Sequence, residues 1–253
     1  MNRGPVNAAV GVIPARWAST RLPGKSLVPL CGKPLIQWVV ERARQARALS
    51  EVLVATDDAR IRQAVERLGC TVVMTRPDHP SGTDRVAEAV AGRPADIVIN
   101  IQGDEPLIDP ALIDRLAAVM RQEPAWDMAT AATPIRTPEA LANPAVVKAV
   151  WDATGRALYF SRSVIPFVRN RMPEGLAHWR HVGLYAYRRE FLARMVAAPP
   201  SLLERAEQLE QLRALHLGAA IKVVETEDFG VGVDTPEDVP RAEAALRRAG
   251  LAT

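Results

Sequence analysis

Short runs of apolar residues recur along the first half of the chain and predict the strands of a sheet. They fall at residues 10–13, 52–55, 71–74 and 97–101. Apolar residues at helical spacing predict three helices between them, one that begins at Pro34, one around residues 61–68 and one over residues 85–91. Continuous Val and Ile runs joined by helical crossovers are typical of a parallel sheet that helices cover on both faces.

The second half of the chain is less regular and predicts a hairpin. Further strands are predicted at residues 128–135, 146–151, 157–160, 181–187 and 221–224. The turn at residues 152–155 makes a hairpin of the strands on either side of it. A helix is predicted over residues 202–215, and a last helix begins with Thr235 as its N-cap and Pro236 at its first position.

These elements predict the fold class and the domain organisation. We expect an α/β fold with a doubly wound, mostly parallel sheet, because strands and helices alternate through the first half of the chain. The absence of a low-complexity linker predicts one domain over residues 1–253. The hairpin region, about residues 127–190, forms a small lobe on the main sheet.

The composition of the 253 residues is that of a globular protein. Hydrophobic residues make up 48% and charged residues 24%, which excludes disorder or fibrous structure for the chain as a whole. No uncharged apolar stretch approaches the ~18 residues that a membrane span requires, so we expect no membrane insertion. Cys31 and Cys70 stand far apart and in no metal-binding spacing, which predicts free thiols and a cytoplasmic location.

The net charge of +3 is small, because 29 Asp and Glu residues nearly balance 32 Lys and Arg residues. On the predicted helices Arg and Glu mostly alternate, which is typical of solvated helix faces. The mild positive excess suits polyanionic small molecules such as nucleotides. We expect no nucleic-acid partner, although the basic isoelectric point alone keeps a nucleic-acid-binding protein as an alternative.

A basic loop, residues 15–25, follows the first predicted strand. It contains Arg16, Arg21 and Lys25 together with hydroxyl side chains. At the carboxyl end of a parallel strand, backbone N–H groups and three cations can converge on a triphosphate. The end of the loop also imitates a P-loop, but Ser19 stands where that motif requires glycine. A P-loop kinase or ATPase is therefore a minor alternative.

Two aspartates are candidate metal ligands. Asp104 follows a buried strand, where its carboxylate points into the crevice at the edge of the sheet, and one or two carboxylates with substrate phosphates form a usual Mg²⁺ site. The alternative is that Asp104 caps the helix near Pro110, although Asp109 is better placed for that cap. Asp234 lies in a Gly-rich turn, and its alternative role is at the N-terminus of the last helix.

A small polar turn, Ser81, Gly82 and Thr83, precedes the helix at residues 85–91. Its N–H groups and hydroxyls could bind the edge of a nucleotide base. Ser81 could equally be an ordinary helix cap. The residues alone leave both interpretations open.

Taken together, these motifs resemble those of a known family. IPARWASTRLPGK, ATDD, SGTDR, NIQGDEP, YFSR, RHVGLYAYR, LEQLR and GVDTPED occur in the order found in the 3-deoxy-manno-octulosonate cytidylyltransferases, the CMP-Kdo synthetases of lipopolysaccharide biosynthesis. The resemblance runs from about Val10 to the end of the chain. ARWASTRLPGK with QGDEP is specific for sugar nucleotidyltransferases with this Rossmann-like fold, and RHVGLYAYR with LEQLR narrows it to the Kdo branch.

The resemblance implies an enzyme that transfers CMP from CTP to 3-deoxy-D-manno-octulosonate (Kdo) and releases pyrophosphate with the help of Mg²⁺. The anomeric hydroxyl of Kdo would attack the α-phosphorus in line. The family is dimeric, which implies a homodimer in which the lobe contributes to the sugar site and to the interface. A Kdo analogue such as the 8-amino sugar stays open as the substrate, and the residues alone do not separate cytidine from uridine.

The resemblance also assigns roles to individual residues. The catalytic group would be Arg16, Lys25, Asp104 and Asp234, of which the two aspartates would bind Mg²⁺. The nucleotide would contact Arg16, Arg21, Lys25, Ser81, Gly82, Thr83 and Gln102. The sugar would contact Gln102, Arg162, His181, Tyr185, Glu210 and Gln211. Arg162 suits the sugar carboxylate, and His181, Tyr185 and Gln211 suit its hydroxyls. Glu204 and Glu207 on the same predicted helix are alternatives to Glu210.

Overall fold

The computed structural model describes residues 8–19, 21–227 and 230–252, which form a large sheet flanked by helices. The strands are β1 (Ala9–Ala15), β2 (Pro29–Leu30), β3 (Lys33–Pro34), β4 (Leu49–Thr56), β5 (Thr71–Met74), β6 (Ile97–Asn100), β7 (Met128–Pro134), β8 (Lys148–Trp151), β9 (Ala157–Ser161), β10 (Trp179–Arg188) and β11 (Ile221–Glu225). The helices are α1 (Leu35–Ala43), α2 (Ala59–Glu66), α3 (Gly82–Ala89), α4 (Pro110–Gln122), α5 (Pro138–Ala142), α6 (Arg189–Ala197), α7 (Leu202–Glu207), α8 (Gln211–His216) and α9 (Asp238–Arg248).

The order of the strands brings three loops to one edge of the sheet. Seven strands follow the order β11-β7-β10-β6-β1-β4-β5. β6, β1, β4 and β5 are parallel to one another, and β11 is parallel to β7. Because β10 is antiparallel to both β6 and β7, these two strands point the same way. The carboxyl ends of β1, β6 and β11 therefore emerge at the same edge.

Apolar clusters cover both faces of this sheet, which explains why its strands are continuous apolar runs. Neighbouring residues of β1 show the division, since Ile13 belongs to one cluster and Val12 to the other, and both are fully buried. Helices α1, α4 and α9 contribute to the first cluster, and α3, α6 and α8 contribute to the second. The doubly wound α/β fold predicted from the sequence is confirmed.

The predicted hairpin is also confirmed. β8 and β9 pair antiparallel around the turn at residues 152–155. β8 also pairs with the start of β10, so the hairpin extends the main sheet. Within the main sheet, β10 and this hairpin are the strands that depart from parallel pairing, and β2 and β3 form a separate antiparallel pair. That residues 1–253 form one domain with a functional lobe at 127–190 stays a prediction.

The single helix predicted over residues 202–215 is wrong, because the chain forms α7 and α8 instead. Gln208 has a φ of 53°, a left-handed conformation that ends α7. A buried ion pair between Glu204 of α7 and Arg213 of α8 then fixes the second helix against the first. A helical spacing of apolar residues does not reveal such a break, since the polar residue that causes it is ordinary in a helix.

The predicted N-terminus of the last helix is wrong as well. α9 begins at Asp238, so neither Thr235 nor Pro236 is part of it. The Asp238 carboxylate accepts hydrogen bonds from the backbone N–H groups of Asp234 and Thr235 and from the Thr235 hydroxyl. Asp238, in the first turn of α9, thus fixes the conformation of the loop that contains Asp234 and Thr235. None of the described helices combines the length and apolar character needed to cross a membrane.

Candidate active site

The basic loop after β1 folds back on itself at Trp17. The carbonyl oxygen of Trp17 accepts hydrogen bonds from the N–H groups of Ser19 and Gly24, at 2.8 and 3.1 Å. Gly24 has a φ of 68°, and a Cβ atom there would lie 2.8 Å from the Trp17 ring, so this position requires glycine. The guanidinium of Arg60 in α2 covers the ring at 3.3 Å. Thr20 of this loop lies outside the described residues.

Lys25 is the last residue of this loop and joins the two predicted metal ligands. Its Nζ atom donates to Asp104 Oδ2 at 2.6 Å and to Asp234 Oδ1 at 3.0 Å. Arg21 forms an ion pair with Asp234 Oδ1 at 3.0 Å. Two acids from opposite halves of the chain therefore share one ammonium group. The alternatives of helix capping do not apply, because Asp109 caps α4 and Asp238 begins α9.

Close backbone contacts hold the two acidic loops together. The N–H group of Val233 donates to the carbonyl oxygen of Asp104 at 2.9 Å. A Cβ atom on Gly103 would lie 2.9 Å from the carbonyl oxygen of Pro14, and one on Gly232 would lie 3.0 Å from Glu105 Oε1. Glycine at both positions lets the chain approach the end of β1 and the Glu105 carboxylate.

Burial and charge act against each other in this cluster. Burial alone would lower the pKa of Lys25, but the charges and hydrogen bonds of Asp104 and Asp234 outweigh it and raise that pKa. For Glu105, burial raises the pKa to about 8, with further increases from the charges of Asp104 and Asp234 and opposition from Arg180 and Lys25. Burial therefore disfavours the charged form of Glu105, whereas the neighbouring acids favour the charged form of Lys25.

The donor atoms of Asp104 and Asp234 fit a hard divalent cation. Carboxylate oxygens are the ligands that Mg²⁺ takes from proteins, usually one or two at a time, with phosphates and water completing the set. The described residues contain no group of three or more His, Cys, Asp or Glu side chains that could hold a metal ion. Two aspartates that meet at one point agree with a cation that binds together with a polyphosphate.

A polar cavity of about 370 Å³ lies beside this cluster, since Gln102 and Glu105, which flank Asp104 in sequence, line it. β10 reaches it because Tyr185 pairs with Asn100 at the end of β6, so the preceding residues of β10 extend beyond that end. Most of the predicted sugar residues and part of the predicted base turn line the cavity: Gly82, Thr83, Gln102, His181, Tyr185, Glu210 and Gln211.

His181 in this cavity is neutral. Burial lowers the pKa of its imidazole from 6.5 to about 3, and the charge of Arg180 adds to the effect. Its Nε2 atom lies 2.9 Å from the Thr130 hydroxyl oxygen. Because that hydroxyl donates its one proton to a carbonyl oxygen, that of Val182 or Leu184, it accepts from Nε2–H. The Nδ1 atom of His181 is then an acceptor.

The other predicted sugar residues are linked to one another. The Tyr185 hydroxyl donates to Gln211 Oε1 at 3.5 Å, and burial together with the Glu210 charge raises the pKa of Tyr185, so the hydroxyl keeps its proton. The Thr83 hydroxyl donates to Glu210 Oε2 at 2.6 Å. This last bond connects the predicted base turn to the predicted sugar side of the cavity.

Of Glu204, Glu207 and Glu210, only Glu210 lines the cavity, and the other two are used elsewhere. Glu204 forms the capping box of α7 with Ser201 and pairs with Arg213. Glu207 accepts from the Ser161 hydroxyl at the end of β9. The ambiguity between these glutamates could not be resolved from the sequence, because it depends on the break at Gln208.

Ser81 is the N-cap of α3, so the interpretation of Ser81 as a helix cap is confirmed. Its side chain accepts from the N–H groups of Thr83 and Asp84, and its hydroxyl donates to Asp84 Oδ2 at 2.6 Å. The Ser81 side chain is therefore engaged within the helix. Gly82 and Thr83 face the cavity.

Arg162 and Arg16 neither line the cavity nor form ion pairs with Asp104 or Asp234. The guanidinium of Arg162 donates to the carbonyl oxygens of Glu207, Pro144 and Gln208 at 2.7, 2.9 and 3.4 Å, and the residue does not line the cavity. The geometry therefore gives the predicted contact of Arg162 with the sugar carboxylate no support. Arg16 is exposed after the end of β1 and forms no ion pair with a described residue.

Arg180 is a cation of the cavity that the sequence did not reveal. Among the described residues that line the cavity, it is the one Lys or Arg side chain. Burial lowers its pKa, while the nearby charge of Glu105 raises it. In the sequence, Arg180 stands directly before His181 in the predicted strand region. Because adjacent strand residues nominally point to opposite faces, the sequence did not indicate that both line the same cavity.

The comparisons with known proteins agree with the motifs. A family model described as cytidylyltransferase matches residues 10–223. A 3-deoxy-manno-octulosonate cytidylyltransferase from Bdellovibrio bacteriovorus is 51% identical over 96% of this chain and 99% of its own length. One from Geobacter sulfurreducens is 50% identical over 93% of this chain and 98% of its own length.

A solved structure agrees as well. It is CMP:2-keto-3-deoxy-manno-octonic acid synthetase complexed with CTP, and it matches with a TM-score of 0.91 at 48% identity. The match covers 96% of this chain and 99% of that one. The family indicated by the motifs is thereby confirmed.

We expect His181→Asn to flatten the acid limb of the stability profile. A histidine with a folded-state pKa of about 3 binds its proton only after unfolding. It therefore lowers the free energy of unfolding as the pH falls below 6.5, by up to about 1.4 kcal/mol per pH unit. Denaturant unfolding between pH 6.5 and 4.5 measures this slope. His216→Asn, at an exposed position, should retain the wild-type slope, and equal slopes for all three proteins would contradict the neutral imidazole.

Proposed function

The chain belongs to the 3-deoxy-manno-octulosonate cytidylyltransferase family of nucleotidyltransferases, and from that premise we propose that it transfers CMP from CTP to Kdo and releases pyrophosphate. The product is the activated Kdo used in lipopolysaccharide biosynthesis. The contact of Asp104 and Asp234 with one cationic group beside a polar cavity is the observation that supports this most directly.

The basic loop binds the triphosphate of CTP. Lys25, Arg21 and the exposed Arg16 offer three cations next to the end of β1. In this position they neutralise the charge that builds up on the leaving pyrophosphate. The N-terminus of α3, with Gly82 and Thr83 at the cavity, receives the cytosine.

Asp104 and Asp234 hold Mg²⁺ together with the nucleotide phosphates. Bound there, the cation supplies charge neutralisation at the α-phosphate and a lower pKa for the attacking hydroxyl. The protein fixes the positions of the two aspartates by hydrogen bonds. The Val233 N–H group donates to the Asp104 carbonyl oxygen, and the Asp234 N–H group donates to the Asp238 carboxylate.

The cavity binds Kdo. Its hydroxyls match the Nδ1 acceptor of His181, the amides of Gln102 and Gln211, and the Tyr185 hydroxyl. The Kdo carboxylate requires a cation, and Arg180 lines the cavity, whereas Arg162 does not. We assign the carboxylate to Arg180 for this reason.

The reaction needs no protein nucleophile. The anomeric oxygen of Kdo forms a bond to the α-phosphorus, the bond to the bridging oxygen of pyrophosphate breaks, and the hydroxyl proton is released. The chain contributes position and charge, which are the main sources of catalysis in this type of transfer.

We propose that the protein is a homodimer that acts in the cytoplasm. Within the lobe, the segment from Arg162 to His178 exposes Phe167, Met172 and Leu176, with 82% of Phe167 accessible. Apolar side chains grouped in one exposed segment are typical of an interface. The free thiols of Cys31 and Cys70 agree with a reducing compartment.

Asp104→Asn should lower kcat at least ~100-fold, the scale for loss of a preorganised electrostatic element, and leave the melting temperature nearly unchanged. A pyrophosphate-release assay with CTP and Kdo measures the rate. Asp109→Asn, which retains an N-cap for α4, should keep wild-type kcat. A loss of tenfold or less in Asp104→Asn would remove Asp104 from the metal site.

Arg180→Gln should raise KM for Kdo at least ~10-fold, because a charge-assisted hydrogen bond to a carboxylate is lost, and leave KM for CTP unchanged. The methyl ester of Kdo has nearly the same shape as Kdo but lacks the carboxylate charge. Wild type and variant should therefore use the ester equally well. Arg162→Gln should keep the wild-type preference for the acid over the ester. If the variant discriminated between acid and ester as well as wild type does, the carboxylate would not lie at Arg180.

Phe167→Glu should convert a dimer into a monomer, because it places a charge at the centre of the exposed apolar segment. Light scattering after gel filtration measures the molar mass. Met74→Glu, at a 44% exposed position on the edge strand β5, should leave the mass unchanged. Equal masses for wild type and both variants would contradict this interface.

A further inference from the structure

Lys25 stands at the point where a divalent cation bound by both aspartates would have to be. Its Nζ atom lies 2.6 Å from Asp104 Oδ2 and 3.0 Å from Asp234 Oδ1, and its side chain is only 18% exposed. Both carboxylates therefore already have a cation between them. An ammonium group and a metal ion cannot occupy one position, and their like charges repel each other at such short range.

The site offers a free metal ion too few other ligands for the ion to displace Lys25 without a nucleotide. Within the described part of the chain no third carboxylate, histidine or cysteine completes a metal-binding group with Asp104 and Asp234. Two carboxylates give Mg²⁺ only part of its ligand set, and it leaves its water reluctantly. A free cation would have to expel a partly buried ammonium group that makes two charge-assisted hydrogen bonds.

A nucleotide changes this balance. Lys25 is the last residue of the basic loop and begins a short helical turn, and its flexible stem lets the ammonium group rotate toward phosphates. A triphosphate offers the ammonium new anionic partners and brings phosphate oxygens for the metal. The ammonium leaves the carboxylates as the cation arrives, so the charge between Asp104 and Asp234 stays compensated throughout.

We propose that Lys25 is a positioning residue that sets the order of binding: it occupies the divalent-cation site of the free enzyme and yields it only when the nucleotide triphosphate binds. This inference rests on the proposed metal site at Asp104 and Asp234. Its consequence is that the enzyme does not load a metal ion in advance of CTP. Removal of the ammonium should therefore create a metal site that the wild-type protein lacks.

The test is Mn²⁺ binding without nucleotide, measured from the free-ion signal in electron paramagnetic resonance. Lys25→Met keeps the length of the side chain and removes the charge, and should bind Mn²⁺ at least ~10-fold more tightly than wild type. Arg21→Ala is the matched control, because it removes one positive charge from Asp234 at an exposed position. It should change the affinity by less than ~3-fold.

Three outcomes decide the matter. Equal affinities in wild type and Lys25→Met would overturn the proposal, and equal gains in Lys25→Met and Arg21→Ala would do so too, because net charge alone would then explain them. The double variant Lys25→Met with Asp104→Asn should lose the gained site. If it kept the site, the metal position itself would be wrong, which is a failure of the proposed function and not of the binding order.

Thermal unfolding gives a second readout that needs no activity. Lys25→Met leaves two carboxylates without their ammonium, and a bound ion stabilises the folded state by mass action. Millimolar Mg²⁺ should raise the melting temperature of Lys25→Met and leave wild type unchanged. A similar increase in both proteins would contradict the proposal.

Discussion

The ion cluster of Lys25 with Asp104 and Asp234 is the interaction on which the rest of the site depends. It joins the loops after β1, β6 and β11, which are distant in sequence and meet only in the folded sheet. Like charges on two aspartates repel, so their approach requires a cation between them. In the free protein that cation is Lys25, and we propose that a metal ion replaces it in the complex with nucleotide.

The fold makes this meeting possible through strand direction and glycine. β6, β7 and β11 point the same way only because β10 runs antiparallel between β6 and β7. The same antiparallel strand brings His181 and Arg180 past the end of β6 and into the cavity. Gly103 and Gly232 then let the acidic loops approach backbone and carboxylate atoms to distances that a Cβ atom would prevent. Topology sets which loops meet, and the glycines set how closely.

The sequence predicted the strands of the main sheet and the hairpin, because apolar runs and turn residues are local signals. Asp104 was a candidate because it follows a buried strand, whereas the role of Asp234 came from the family resemblance. The sequence did not predict the break at Gln208 or the ion pairing of Asp234 with Lys25 and Arg21, which depend on distant parts of the chain. Arg162 was assigned to the sugar from its motif, but carbonyl oxygens of two other segments bind its guanidinium. Arg180 was missed because the alternation of a strand does not reveal which arginine faces a cavity.

The most direct measurement of the exchange between lysine and metal is a crystal structure of the protein with CTP and Mn²⁺, with the ion located from its anomalous scattering. We predict an anomalous peak bonded to both Asp104 and Asp234, with the Lys25 ammonium moved away from the carboxylates and onto the phosphates. A peak bonded to neither aspartate, with Lys25 still between them, would contradict this exchange.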